Sequence, residues 1–226
     1  MNWSGGKDSA MALHKIGQEG HREVTSLLTT VNEQYNRVSM HGLRAELLVQ
    51  QANALDIPLT QVMLPEQASM EVYGQRMSEA MSTLKAQGVE YSVFGDIFLE
   101  DLRAYRESKL QEANLKGEFP IWGRNTTALI NHFIDTGFKA ILICTNNKRL
   151  PAEFIGREID QDFLKDLPKG VDPCGENGEY HTFVYDGPIF KKSVPFQKGE
   201  VVTKTYKSGD GADFDTEFLF LDLLPE

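Results

Sequence analysis

Ser4-Gly5-Gly6-Lys7-Asp8-Ser9 lies near the start of this 226-residue chain, where a helix is predicted over residues 7–18. Two glycines let a backbone pass close to a phosphate without a Cβ in the way. The helix N-terminus adds unpaired N–H groups and a positive dipole end, while the serines add hydroxyl donors and the lysine a cation. Asp8 fits either a helix cap or a magnesium ligand. The stretch therefore predicts a site for a nucleotide polyphosphate; the alternative is a glycine-rich turn that only caps the helix.

The first half of the chain alternates short apolar runs with longer helical patterns. Strands are predicted over residues 24–31, 59–64 and 89–95, and helices over residues 42–55, 70–87 and 99–113. This alternation indicates parallel βαβ units and thus an α/β fold with a doubly wound parallel sheet. A strand should also precede the first motif, yet only three residues stand there. Either they form a stub of strand, or the translation start lies further upstream; in both cases we expect Trp3 to pack into the core.

The pattern changes after Pro120. A helix over residues 125–135 and a strand over residues 138–145 are followed by a loop-rich stretch. Three further strands are predicted over residues 180–185, 201–206 and 216–221, with a turn at residues 208–212. Strands that follow one another without helices favour antiparallel pairing. We therefore place a domain boundary near residue 120, between residues 1–120 and residues 121–226.

Composition excludes several classes of protein. Lys plus Arg is 23 and Asp plus Glu is 33, so the net charge of −10 argues against a broad nucleic-acid surface. The apolar runs at residues 140–144 and 218–221 are far shorter than the ~18 residues that span a bilayer. The first motif begins too early to follow a signal peptide, so we expect a cytoplasmic protein. Cys144 and Cys174 are the two cysteines, and they lack the spacing of a zinc or C-x-x-C site.

A second dense segment, DPCGENGEYHTFV, occupies residues 172–184. Glu176 and Glu179 flank Asn177-Gly178, where a glycine permits a tight backbone turn. Two acceptors on such a loop suit an ammonium or amide substrate, a proton-transfer step or magnesium. On chemistry alone, an acidic surface turn leading into a strand is an equal alternative.

Three motifs together carry a resemblance to a known family. SGGKDS resembles the PP-loop of ATP pyrophosphatases, the adenine nucleotide alpha hydrolase-like superfamily. DPCGENGEYHTFV, with FGDI at residues 94–97 and PIWG at residues 120–123, resembles the diphthine–ammonia ligase family within it. The resemblance runs from residue 4 to about residue 190. It implies a Rossmann-like PP-loop domain that binds ATP and a smaller C-terminal α+β domain that binds the substrate.

The resemblance also implies roles for particular residues. The expected ATP-binding residues are Ser4, Gly5, Gly6, Lys7, Asp8, Ser9, His41 and Gly95, with Asp8 also a ligand of Mg²⁺. For His41, a loop position before a helix without a role in nucleotide binding is an equal alternative. The expected catalytic residues are Lys7, Asp8, Asp96, Glu176 and Glu179. Asn177, Gly178 and His181 are expected to bind the substrate.

The implied reaction is ATP-dependent amide formation. In the family the acceptor is the carboxylate of diphthine, a modified histidine on translation elongation factor 2. The resemblance implies that a carboxylate acceptor is adenylated with release of pyrophosphate, and that ammonium then displaces AMP. The sequences at residues 39–42 and 98–109 are more similar to those of the bacterial subgroup of the family. Bacteria do not make diphthamide. In a bacterial protein the adenylating chemistry can therefore be kept while the acceptor is a different carboxylate. The alternatives are a PP-loop enzyme of RNA modification and a non-catalytic nucleotide-binding sensor. The sequence leaves the oligomeric state open, with a homo-oligomer among the alternatives.

Overall fold

A computed structural model describes residues 1–38, 42–206 and 216–226 of the chain. The helices are α1 (Lys7–Glu19), α2 (Ala45–Leu55), α3 (Met70–Ala86), α4 (Glu100–Glu112), α5 (Thr126–Asp135) and α6 (Gln161–Asp166). The strands of the first half are β1 (Leu27–Asn32), β2 (Arg37–Val38), β3 (Leu59–Leu64), β4 (Tyr91–Val93) and β5 (Lys116–Glu118). Those of the second half are β6 (Lys139–Asn146), β7 (Tyr180–Asp186), β8 (Phe196–Tyr206) and β9 (Thr216–Pro225).

The three residues before the glycine-rich loop lie between two small sheets, the first of which also contains β2, paired antiparallel with β1. β1 pairs with β3, and β4 pairs with β5, both in parallel. The Trp3 N–H donates to the Leu28 carbonyl at 2.8 Å, and the Asn2 N–H donates to the Val93 carbonyl at 2.9 Å. The backbone order is therefore β3, β1, residues 1–3, β4, β5. Residues 1–3 thus lie in the position of a short strand, with an isolated bridge between Asn2 and Leu28, and Trp3 is buried in the core as expected.

The second half forms an antiparallel sheet in the order β7-β6-β9-β8. β8 pairs with β9 along most of its length, and a register shift falls between Lys198 and Val201. The predicted strands of this half are confirmed, although β8 begins earlier than expected. The predicted turn at residues 208–212 lies outside the described residues.

Apolar packing joins the two halves of the chain. One buried cluster contains Trp3 and Leu47 from the first half together with Phe133, Ile141 and Phe183 from the second. A smaller cluster lies beneath α3 and α4. Because α1 and β7 pack in the same cluster, the loop at residues 4–9 is held against the second sheet. Among the described residues, no helix has the length and apolar character needed to cross a bilayer.

Candidate active site

The glycine-rich loop turns directly into α1 and surrounds the first turn of that helix with polar groups. Ser9 Oγ donates to the Gly6 carbonyl at 2.8 Å and lies 3.3 Å from Ser4 Oγ. The N-cap residue is Gly6, which has no side chain to cap the helix, and the Lys7 N–H donates to Thr182 Oγ1 at 3.1 Å. The positive end of the helix dipole lies at the pocket. This arrangement suits an anion placed at the helix N-terminus.

Two glycines permit the close approaches that build the site. Gly5 has a φ of +79°, and a Cβ there would lie 2.8 Å from Leu48 Cδ2. A Cβ on Gly95 would lie 2.7 Å from the Asp8 carbonyl carbon. The residues after β4 can therefore press on the first turn of α1, which brings Asp96 close to Asp8.

Lys7 and Asp8 form a largely buried ion pair at the base of this pocket. Lys7 Nζ lies 2.9 Å from Asp8 Oδ2 and 5.3 Å from the centroid of the Tyr180 ring. Burial alone would lower the pKa of Lys7, but Asp8 and neighbouring acidic groups outweigh it and raise the pKa, so the lysine stays cationic. Asp8 Oδ1 is buried and has no hydrogen-bond partner among the described residues. That oxygen is available to a ligand.

Two carboxylates organise the loop at residues 172–179. Glu179 is fully buried and accepts hydrogen bonds from the Asp172 N–H at 3.1 Å, the Asn177 N–H at 2.8 Å and Asn177 Nδ2 at 3.2 Å. Asp172 Oδ1 accepts from the backbone N–H groups of Cys174 and Glu176 at 2.8 and 3.3 Å. The expectation that Glu179 faces the pocket is therefore corrected, because its oxygens are used within the loop.

The glycine-rich loop, the end of β4 and the second loop meet around one pocket of about 470 Å³. The predicted residues that line it are Ser4, Gly6, Lys7, Asp8, Ser9, Gly95, Asp96, Glu176, Gly178 and His181. Gly5, Asn177 and Glu179 do not line it, and His41 lies outside the described residues. The structure thus brings together residues about 170 positions apart in the sequence.

Glu176 occupies the most unusual electrostatic position in the pocket. Burial raises the pKa of its carboxyl group to about 8, with a further increase from Asp8 and other nearby carboxylates that Lys7 offsets only in part. A carboxyl group that titrates near neutrality can accept or donate a proton during a reaction.

Asp96 pairs with an arginine that the sequence pattern did not connect to it. Arg106 Nη1 donates to Asp96 Oδ2, and the guanidinium carbon lies 4.5 Å from the centroid of the Phe94 ring. Burial raises the pKa of Asp96 although Arg106 opposes the shift. Arg106 has no acidic neighbour one turn away on α4, so helical spacing alone does not predict its partner. Its partner instead precedes the helix, and Arg106 lines the pocket.

Gln51 is a site residue that sequence reasoning missed. Its fully buried side chain donates from Nε2 to the Gly5 carbonyl at 3.0 Å and to the Val184 carbonyl at 2.6 Å. Its Oε1 accepts from Trp3 Nε1 at 2.9 Å. A glutamine within the apolar stripe of the predicted helix, one turn after Leu47, was the available signal.

Cys174 is a structural residue of the second loop. It is fully buried, and its Sγ donates to the Thr126 carbonyl at 3.2 Å. Burial raises the pKa of the thiol well above its usual range, which keeps it protonated and unreactive. Cys144 and Cys174 are both free thiols.

Comparisons with known proteins agree on one family. A family model described as the diphthamide synthase N-terminal domain matches residues 1–117, and one described as the diphthamide synthase C-terminal domain matches residues 125–210. The chain is 29% identical to a diphthine–ammonia ligase of Bos taurus over 223 residues, which cover 88% of this chain and 83% of that protein. It is 28% identical to the Homo sapiens enzyme of the same name, with 88% and 82% covered. The Danio rerio enzyme of that name is 37% identical over 87 residues, 36% of this chain and 34% of that protein.

Proposed function

The chain belongs to the diphthamide synthase family, and on that premise we propose that it is an ATP-dependent amide ligase of the diphthine–ammonia ligase type. The observation that carries the proposal is the single pocket in which an anion site, Asp96 and Glu176 face one another. Such a pocket can hold a nucleotide at one end and an acceptor carboxylate at the other.

The fold supports this proposal. The order β3, β1, residues 1–3, β4, β5 is that of a Rossmann-like sheet, with the glycine-rich loop after its central strand. The proposed PP-loop domain comprises residues 1–120, and residues 121–226 form the proposed substrate domain. We further propose a cytoplasmic location, in keeping with two cysteines that are not joined in a disulfide.

The nucleotide end of the pocket is assigned to the glycine-rich loop. The N-terminus of α1 and the Ser4 and Ser9 hydroxyls would bind the phosphates of ATP, with the Lys7 ammonium neutralising charge as pyrophosphate departs. Gly5 and Gly95 contribute through their small size. His41 remains a proposed nucleotide contact.

Asp8 fits a magnesium ligand. Its Oδ1 is buried and has no partner among the described residues, and Asp96 lies nearby. Mg²⁺ prefers carboxylate and phosphate oxygens and, when bound with ATP, would neutralise part of the triphosphate charge.

The acceptor end is assigned to the second loop. The acceptor carboxylate attacks the α phosphate of ATP, the bond to pyrophosphate breaks, and an acyl adenylate forms. Ammonium gives a proton to the ionised Glu176 carboxylate, and ammonia attacks the carbonyl carbon. The adduct passes its second proton to the departing AMP phosphate, and the bond to AMP breaks to leave the amide. Gly178 and His181 line this end, while Asn177 and Glu179 hold the loop in place.

Labelled oxygen tests the reaction sequence. If the acceptor carboxylate of diphthine-bearing elongation factor 2 carries heavy oxygen, adenylation predicts that one labelled atom appears in AMP and that unlabelled pyrophosphate is released. ADP and orthophosphate as the main products would contradict the proposal. Release of AMP and pyrophosphate without amide formation would identify an ATP pyrophosphatase and contradict the proposed ligase.

A further inference from the structure

The N-terminal halves of α3 and α4 are incompletely covered. The buried residues of α3 are Met81 and Leu84, and that of α4 is Leu110, all in the C-terminal halves. Those C-terminal ends are joined where Lys85 Nζ donates to the Ala113 carbonyl at 3.0 Å. Helices normally bury an apolar stripe along their whole length. In the N-terminal halves Tyr73 and Met77 are only partly buried where they pack against the smaller cluster, while Met70, Leu99 and Tyr105 are exposed.

Two apolar stripes run along these uncovered halves. Met70, Tyr73 and Met77 follow one another at i, i+3 and i+7 on α3 and so share a face. Leu99 is the N-cap of α4, and Leu102 and Tyr105 follow at three-residue intervals. We call the surface formed by Met70, Tyr73, Met77, Leu99, Leu102 and Tyr105 the α3–α4 groove.

The α3–α4 groove opens into the catalytic pocket. Tyr73 and Met77 line the pocket together with Leu99 and Leu102. Met70 at the outer end is 72% exposed, and Leu99 is 42% exposed although it also lines the pocket. Apolar surface is thus continuous from the reacting groups to solvent.

The exposed apolar side chains are concentrated at this place. Of the ten large apolar residues exposed in the described part of the chain, four belong here, namely Met70, Phe98, Leu99 and Tyr105. Single exposed apolar residues are ordinary, whereas a contiguous patch marks an interaction surface. A small carboxylate substrate would fill the pocket and leave this patch unused.

Acidic side chains flank the groove at the N-termini of both helices. Glu71 lies in the first turn of α3, and Glu100 and Asp101 lie in the first turn of α4. All three are exposed. A partner segment with apolar side chains flanked by basic residues would complement these acidic side chains.

We propose that the α3–α4 groove docks the protein that carries the acceptor carboxylate, through a segment with apolar side chains and flanking basic residues. The inference rests on the proposed function, because the docked segment must direct its carboxylate toward Glu176 and the nucleotide. Arg106, at the inner end of the groove, is placed to receive that carboxylate.

Steady-state kinetics with diphthine-bearing elongation factor 2 tests the proposal. The double variant Met70→Ser/Tyr105→Ser alters two exposed positions of the groove. A matched control, Val201→Ser/Tyr206→Ser, alters two exposed apolar positions on β8. We expect the groove variant to raise KM for the protein at least about tenfold, as for central interface residues, while kcat and KM for ATP stay unchanged. The control should leave all three values unchanged.

A charge variant provides a second measurement. Glu100→Gln/Asp101→Asn should raise KM for the protein and flatten its dependence on ionic strength. An unchanged KM in both groove variants, with an active wild type, would overturn the docking surface and leave the proposed function standing. A wild type that forms no amide on this protein would overturn the proposed function and the docking surface with it.

Discussion

Burial destabilises the ionised form of Glu176. The carboxylate therefore binds a proton readily near neutral pH, which suits a proton acceptor. Its pKa of about 8 is set mainly by burial and then by Asp8. The ionised base is therefore a minor species at neutral pH and becomes the major one above about pH 8. We expect kcat/KM for amide formation to rise as pH increases through about 8. Glu176→Gln should remove this rise and lower amide formation roughly 10²–10⁴-fold with ATP affinity nearly intact. A variant that kept the same pH profile would assign the titration to another group.

The raised pKa of Glu176 should also make the folded protein less stable as pH rises, whereas it should make amide formation faster. Because its folded-state pKa lies above the ordinary value of 4.5, its contribution to the free energy of unfolding is fully present below about pH 4.5 and is lost as pH rises through about 8. Glu176→Gln should therefore gain stability relative to wild type between about pH 5 and about pH 9. Urea unfolding at several pH values measures this difference. A constant difference across that range would contradict the raised pKa.

Lys7 and Lys15 lie on the same helix and provide a matched pair. Lys7 is buried beside Asp8, whereas Lys15 is partly exposed and pairs with Glu19. Lys7→Ala should weaken ATP binding by roughly 1.5–3 kcal/mol, because a charge-assisted contact to phosphate is lost. Asp8→Ala should also reduce binding or turnover. Lys15→Ala should leave calorimetric ATP affinity unchanged, and equal affinities for all three variants would contradict the nucleotide site.

The contact between the end of β4 and α1 depends on the absence of one side chain. A Cβ at Gly95 would lie 2.7 Å from the carbonyl carbon of Asp8, closer than the backbone can accept. Gly95→Ala should therefore separate Asp96 from Asp8 and abolish most ATP turnover. Gly17→Ala on α1 is the control, because its Cβ meets open space and should stabilise the helix by about 0.5–1 kcal/mol. Normal turnover in Gly95→Ala would show that this contact is dispensable.

Elements with strong local signals were predictable from the sequence. The stripe of Ala10, Leu13 and Ile16 predicted α1, and these side chains are buried. β5 and β2 were missed because they are short, three and two residues long, and β5 is largely exposed, so neither carries a periodic apolar pattern. α6 was also missed, since six residues are too few for a helical period to show.

The candidate site was predictable in its composition but not in its contacts. The two motifs contain most of the predicted residues that meet at the pocket, because the residues of each motif are neighbours in the sequence. The direction of a side chain on a tight loop depends on its hydrogen bonds, and so Glu179 turned inward while Glu176 faces the pocket. The ion pair between Asp96 and Arg106 and the hydrogen bonds of the Gln51 side chain likewise depend on the tertiary fold, which a local sequence pattern does not show.

At the scale of the whole molecule, the two halves are joined directly behind the glycine-rich loop. The Lys7 N–H donates to Thr182 Oγ1 at 3.1 Å, and the Val184 N–H donates to the Gly5 carbonyl at 2.9 Å. Gln51→Leu would remove a donor to two buried carbonyls and the acceptor of Trp3 Nε1. We expect a loss of stability of about 2–4 kcal/mol, since each buried unpaired group costs about 1–3 kcal/mol. Gln111→Leu, at an exposed position on α4, is the control and should change the urea midpoint little. Equal midpoints for both variants would contradict the bridging role of Gln51.

The central position of residues 1–3 in the first sheet also has a consequence for the order of folding. β1 pairs with β3, and β4 with β5, over modest sequence separations, so these pairs can form early. The hydrogen bond between Asn2 and Val93 instead closes a separation of 91 residues. Long-range closure of this kind is slow, because loop entropy is lost before the contact is gained. The glycine-rich loop follows directly after these residues, so we expect nucleotide-binding competence to arise only after the two half-sheets have become one.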